Sequence, residues 1–150
     1  MHMAAYRELG LPHSYEALRV SSDALEGTID ELRRGIFADY NITAPHKTRA
    51  LSFVDRVDES ARMPGCTNTL VRNPDGKVVA FNTDVAAIGA ELREFGAEWS
   101  NARVLVLGTG GAARATLVAC VRELGARRFV VRGRNTAGAF AAFASELEQM

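Results

Sequence analysis

The chain has 150 residues, 47% of them hydrophobic and 24% charged, which is the composition of a folded globular protein and excludes a disordered one. Its 18 basic and 18 acidic residues cancel, so it lacks the positive field that non-specific nucleic-acid binding requires. No apolar run reaches the roughly 18 residues of a membrane span, and Cys66 and Cys120 stand far apart without Cys or His companions, which argues against a disulfide framework or zinc site and suits a reducing cytoplasm.

Residues 1–9 carry Ala4, Ala5 and Leu9 at helical spacing and stop at Gly10 and Pro12, predicting a helix with a glycine exit. Residues 14–20 are expected as a short strand. Leu25, Ile29 and Leu32 follow at i, i+4 and i+7, an amphipathic helix ending near Gly35. Residues 36–42 predict a strand, residues 43–47 a proline loop, residues 48–54 a short helix, and residues 55–59 an acidic connection. The runs 66–72 and 77–82 flank Asn73-Pro-Asp-Gly76, the signature of a type I turn, and predict a hairpin. A helix is expected from Thr83 and Asp84 to Gly96, then a strand 103–107, a glycine turn, a helix to Leu124, a strand 128–132 and a last helix from about Thr136.

This alternation predicts α/β layers with mainly parallel pairing and no internal repeat. The break at Glu98 to Asn101 divides residues 1–100 from residues 101–150, and the latter have room for two strands, half of a dinucleotide fold.

Gly108-Thr109-Gly110-Gly111-Ala112-Ala113 reads as G-x-G-x-x-A between a strand and a helix. In a dinucleotide site the first glycine permits the tight turn, the second lets a pyrophosphate approach, and the helix N-terminus meets the phosphates. The same run also suits a purely structural turn. No acid occurs between Glu123 and Glu146, and the next strand runs into Arg132-Gly133-Arg134-Asn135, which favours the 2′-phosphate of NADP over NAD unless these arginines are ordinary surface.

Among the 18 basic residues only Lys47 and Lys77 are lysines. Lysine, unlike arginine, can exchange its proton, so Lys47 in the loop Asn41-x-Thr43-x-Pro45-His46-Lys47 reads either as a proton-transfer group or as a solvated loop side chain. Asp84 reads either as a helix N-cap or as a partner for chemistry, and Asn68-Thr69 as ligand contacts or strand polarity.

Taken in order, Asn41-x-Thr43-x-Pro45-His46-Lys47, Gly65-x-x-Asn68-Thr69, Asn82-Thr83-Asp84 and Gly108-x-Gly110-Gly111-Ala112 resemble the shikimate dehydrogenase family over nearly the whole chain. The resemblance implies a three-layer α/β substrate-binding domain followed by the first half of a Rossmann domain. It implies Lys47 and Asp84 as the catalytic pair and Thr43 and Asn68 as contacts to substrate hydroxyls. It assigns Gly108, Thr109, Gly110, Gly111 and Ala112 to the cofactor turn and Arg134 to the 2′-phosphate, with NADPH reducing 3-dehydroshikimate to shikimate and no metal. Val85, Ala87 and the Gly133-Arg134-Asn135 run resemble the shikimate-dehydrogenase-like branch, for which quinate or a related hydroxy acid is the alternative substrate. A catalytically inactive remnant or binding module would retain the same motifs. Family members carry a strand and a serine loop before a helix beginning M-H-N-A-A-F, so the resemblance also implies a fragment truncated at both ends. Such a fragment is expected to turn over poorly and to self-associate through an open sheet edge.

Overall fold

A computed structural model describes residues 2–134 and 136–149. Met1, the first residue of the predicted N-terminal helix, lies outside the described residues, as do Asn135 of the arginine run and Met150. The elements are α1 (His2–Glu8), α2 (Leu25–Arg33), β1 (Asp39–Asn41), a 3₁₀ turn (Arg49–Phe53), β2 (Arg56–Val57) and α3 (Glu59–Arg62). They continue with β3 (Thr69–Arg72), β4 (Val78–Phe81), α4 (Asp84–Glu94), β5 (Arg103–Leu107), α5 (Gly111–Arg122), β6 (Arg128–Arg132) and α6 (Ala139–Glu148).

The first sheet has the order β1-β3-β4-β2. Gly76 N–H donates to the Asn73 carbonyl at 3.0 Å, closing the predicted turn, and β3 and β4 pair antiparallel from Thr69 opposite Phe81 to Arg72 opposite Val78. The expectation of mainly parallel pairing does not hold here. β1 is antiparallel to β3 and only β2 runs parallel to β4, because a connection as short as the β3–β4 turn can join strands only by reversing the chain. α2 lays Leu25, Ile29 and Leu32, all within 2% of full burial, against Leu70, Val78 and Ala80. Burying each contributes about 1.5–3 kcal/mol, so the 3.6-residue period read in the sequence is the period of this core.

Two further expectations are corrected. Residues 14–20 form no strand: Tyr15 and Leu18 stay exposed, and without a neighbouring strand their backbone has no ladder to join. The acidic connection 55–59 instead contains β2 and the start of α3, with Asp58 capping the helix by accepting from Ser60 N–H at 3.0 Å. A two-residue strand leaves no alternation to read. The strand expected at 36–42 is reduced to its centre, and Ile36 is exposed.

β5 and β6 pair in parallel, Arg103 opposite Arg128 through Leu107 opposite Arg132, as a separate sheet. Val106 packs with Ala113, Leu117 and Val118 of α5 and with Phe140, Phe143 and Leu147 of α6. Leu105 and Leu107, alternate residues of the same strand, remain 59% and 77% exposed. The two sheets communicate through α4 and α5, where Arg93 meets Glu123 at 2.7 Å. Among the described residues no helix is long and apolar enough to cross a membrane.

Asp55 joins α2 to the sheet. Its carboxylate accepts from Val78 N–H at 2.8 Å and from Arg33 Nε at 3.0 Å. The Val78 hydrogen bond, helped by Arg33, holds this carboxyl below the usual carboxylate range. A folded-state value below the unfolded one means that the unfolded chain binds more protons, so this contribution is present above the ordinary value of about 3.9 and is lost as pH falls through the depressed one. Asp55→Asn should therefore flatten the fall in stability at acid pH, checked by urea titrations across that range; an unchanged pH profile would remove Asp55 from the acid response.

Candidate active site

Lys47 is placed by its backbone before its side chain acts. Beyond β1, His46 N–H closes on the Thr43 carbonyl at 2.9 Å, the Ala44–Pro45 peptide is cis, and Thr67 N–H donates to the Lys47 carbonyl at 2.8 Å. His46 Nε2 lies 2.8 Å from the Val20 carbonyl, which ties the irregular 11–21 segment to this loop. Held in this way, Lys47 Nζ reaches Asp84 Oδ2 at 2.6 Å, with the two side chains 19% and 26% exposed.

Asp84 is the first residue of α4, not its cap; the cap position belongs to Thr83, whose side chain makes no capping hydrogen bond to the helix. The N-cap reading of Asp84 is thus corrected: its carboxylate turns away from the helix N–H groups, toward Lys47 on Oδ2 and Asn68 Nδ2 on Oδ1 at 2.7 Å. The helix dipole still favours an anionic side chain here. Asn68 makes a second donation to Thr83 Oγ1 at 2.8 Å, and its Oδ1 accepts from Thr83 N–H at 3.0 Å and Thr69 Oγ1 at 2.9 Å. Thr43 is exposed at the mouth of the loop. The structure therefore brings Lys47, Asp84 and Asn68 into one hydrogen-bonded group.

Two neighbours of this group were given no role by the sequence. Asn82, 3% exposed, accepts from Asp84 N–H at 2.9 Å and donates to the Cys66 carbonyl at 2.9 Å. An asparagine two residues before a helical N–H is a known Asx-turn former, so a signal existed. Cys66 had none. It is fully buried, and burial pushes its thiol up to about 11, against the opposing pull of the Lys47 and Arg114 charges, so it remains a thiol at neutral pH.

The glycine turn lies at the other wall. Gly108 has φ +127°, a conformation open in practice only to glycine, and its N–H donates to the Arg132 carbonyl at 2.8 Å, binding the turn to the end of β6. A Cβ on Gly133 would lie 2.8 Å from Thr109 Cγ2, so the strand end and the turn pack with no room for a side chain, and exposed Arg134 follows immediately. Gly110 is different. Apart from its own chain neighbours, nothing lies within 4 Å of where its Cβ would be, and no side chain caps α5. The protein's own packing does not require glycine at 110, whereas a pyrophosphate seated on the helix N-terminus does; the residues fit a dinucleotide.

These walls meet at Gly111. A Cβ there would sit 3.1 Å from Lys47 Cβ and Cδ and 3.4 Å from Cys66 Sγ, and the thiol lies 3.4 Å from the Gly111 carbonyl. The first residue of α5 rests on the stem of the site lysine.

A mixed α/β unit bearing a lysine–aspartate pair, joined to a partial Rossmann-like unit with a glycine turn, defines a class of two-part α/β folds. Residues 1–70 match the family described as the shikimate dehydrogenase substrate binding domain. The shikimate dehydrogenase (NADP(+)) of Nitrosopumilus maritimus is 40% identical over 123 residues, 82% of this chain and 45% of that protein. That of Thermosynechococcus vestitus is 40% identical over 144 residues, 95% and 50% of the respective chains. The crystal structure of shikimate 5-dehydrogenase from Thermus thermophilus in complex with NADP(H) and shikimate superposes with a TM-score of 0.80 at 37% identity, covering 97% of this chain and 54% of that one. Residues 1–70 thus belong to the shikimate dehydrogenase substrate-binding family, and the chain, similar to shikimate dehydrogenases along most of its length, spans about half the length of the curated relatives it matches.

The two glycines make opposite predictions. Gly133→Ala should destabilise by about 1–3 kcal/mol through overpacking on Thr109, whereas Gly110→Ala should fall within about 0.5 kcal/mol of the parent. Denaturant titration of both variants checks this, and equal costs would show that Gly110 is also held by protein packing.

Proposed function

We propose that this chain serves an NADP-dependent dehydrogenase of the shikimate type, interconverting 3-dehydroshikimate and shikimate on the route to chorismate and the aromatic amino acids. The observation that carries this reading is the 2.6 Å contact of Lys47 Nζ with Asp84, made where the lysine's stem lies against the start of α5. A proton-exchanging group and a nucleotide-binding turn thereby meet where the two walls of the site join. Residues 1–100 form the substrate-binding part on this reading and residues 101–150 part of the Rossmann domain. Two free, buried thiols support a reducing, cytoplasmic setting.

In the reducing direction Lys47 donates a proton from Nζ to the substrate's carbonyl oxygen as the carbonyl carbon gains a hydride, so that C=O becomes H–C–O–H. NADPH, when bound, supplies that hydride. Asp84 keeps the ammonium aligned and accepts from a substrate hydroxyl, while Asn68, both of whose donors are engaged with Asp84 and Thr83, holds the carboxylate in place and offers the Thr83-facing donor to a second hydroxyl. Thr43, exposed at the entrance, binds another. Gly108 to Ala112 receive the pyrophosphate and Arg134 the 2′-phosphate.

Calorimetric titration and turnover assays test these roles together. NADP(H) should bind more tightly than NAD(H), and Arg134→Ala should erase the difference while leaving NAD(H) affinity nearly unchanged. In a chain extended to the full length of its relatives, Lys47→Ala should lower kcat by about 10²–10⁴ with little change in KM. Equal binding of the two cofactors by the parent, or unchanged turnover without Lys47, would overturn the respective assignment.

We propose further that a second copy of the chain pairs along β5, whose sole partner among the described residues is β6 and whose Leu105 and Leu107 are exposed. Light scattering should show a concentration-dependent dimer that Leu105→Lys converts to monomer; a monomeric parent would refute the pairing.

A further inference from the structure

Arg114 has no part in the mechanism above, yet it is among the most constrained side chains in the molecule. It ends the first turn of α5, where the helix dipole disfavours a cation, and it is only 8% exposed. Burial pulls its pKa down, while Cys66 and Glu146 act in the opposite direction. A cation kept at such a cost needs compensating contacts.

Those contacts reach α6 and the loop that follows α3. The guanidinium carbon lies 4.7 Å from the ring centre of Phe143 and 5.8 Å from that of Phe140, both on α6. Its Nη1 lies 3.2 Å from the place a Cβ on Gly65 would occupy, so the space beside Gly65 is where the guanidinium sits. The next residue, Cys66, touches Gly111 and is bonded to Asn82. Three residues before Arg114 on the same helix, Gly111 abuts Lys47.

We propose that Arg114 is a positioning residue: seated beside Gly65 and stacked on Phe143, its guanidinium locks the start of α5 to the Cys66 and Lys47 wall and so fixes the glycine turn relative to the lysine–aspartate pair. Its meaning for catalysis rests on the dehydrogenase reading. A planar, delocalised cation suits this place because it stacks on an aromatic face while its edge donates elsewhere, which a lysine ammonium does only in part.

The two buried cysteines are internal reporters. Cys66 lies at the junction that Arg114 is proposed to hold, and Cys120 lies within α5 away from it. In the intact 150-residue chain, labelling with a small disulfide reagent, with the modified cysteine identified by mass spectrometry, should be slow at both. In Arg114→Met, Cys66 should react about tenfold faster while Cys120 stays protected, since local opening exposes only the sites it separates. Arg114→Lys should fall between parent and Met, and Phe143→Leu, which keeps an apolar side chain but removes the ring face, should reproduce the selective release of Cys66. Unchanged protection of Cys66 in Arg114→Lys and Phe143→Leu would overturn the proposal, and so would release of both thiols together in those two variants, which is the sign of general destabilisation. No ligand enters this experiment, so its failure leaves the dehydrogenase reading standing, whereas a parent chain that binds neither NADP⁺ nor shikimate would sink that reading and leave the clamp to be judged on the thiols.

Discussion

The ammonium of Lys47 and the carboxylate of Asp84 meet at 2.6 Å across 37 residues of chain, and the arrangement of both walls of the site follows from holding them there. For the lysine, the Thr67 N–H pins its carbonyl and the glycine of α5 flanks its stem. For the aspartate, Asn82 receives its backbone N–H while Asn68 takes the carboxylate oxygen that Lys47 leaves over. A half-buried ion pair adds little to stability by itself. Its value lies in orientation, because each partner is fixed by hydrogen bonds that do not involve the other.

That arrangement depends on an antiparallel hairpin. Thr69 stands opposite Phe81, so Asn68 and Asn82 leave the paired strands side by side, and the residues that follow, Thr83 and Asp84, start α4 within reach of Asn68. β1 adds Asn41 opposite Thr69, which delivers the Lys47 loop to the same end of the sheet. Three motifs scattered over the stretch from Asn41 to Asp84 converge because three adjacent strands end together. A sheet with the mainly parallel pairing expected from the alternation of elements would have spread those ends apart.

The glycine turn shows how a sequence motif acquires a second function on folding. Gly108 is explained by the backbone turn, and Gly110 opens on space that no distant part of the chain fills. Gly111 is explained by something no nucleotide motif contains: the stem of a lysine from the other part of the chain. Coupling between the two halves is thus built from a backbone-to-stem contact, the Cys66 thiol and the buried Arg114, with α4 and α5 packed alongside.

The period of Leu25, Ile29 and Leu32, the Asn-Pro-Asp-Gly turn, the apolar run 103–107 and the glycine turn were legible in the sequence because each is decided by neighbours in the chain. Candidate site residues could also be proposed, since four motifs in a fixed order carry a family likeness. Tertiary structure alone decided the rest. It denied residues 14–20 a strand by giving them no partner, and made β2 from two residues because β4 offered an edge. It turned Asp84 from a cap into the partner of Lys47, and buried Arg114 and Cys66 between the halves. Hydrogen-bond ladders, burial and charge pairing depend on what the distant chain supplies, and no local pattern encodes the distance from a lysine at 47 to an aspartate at 84.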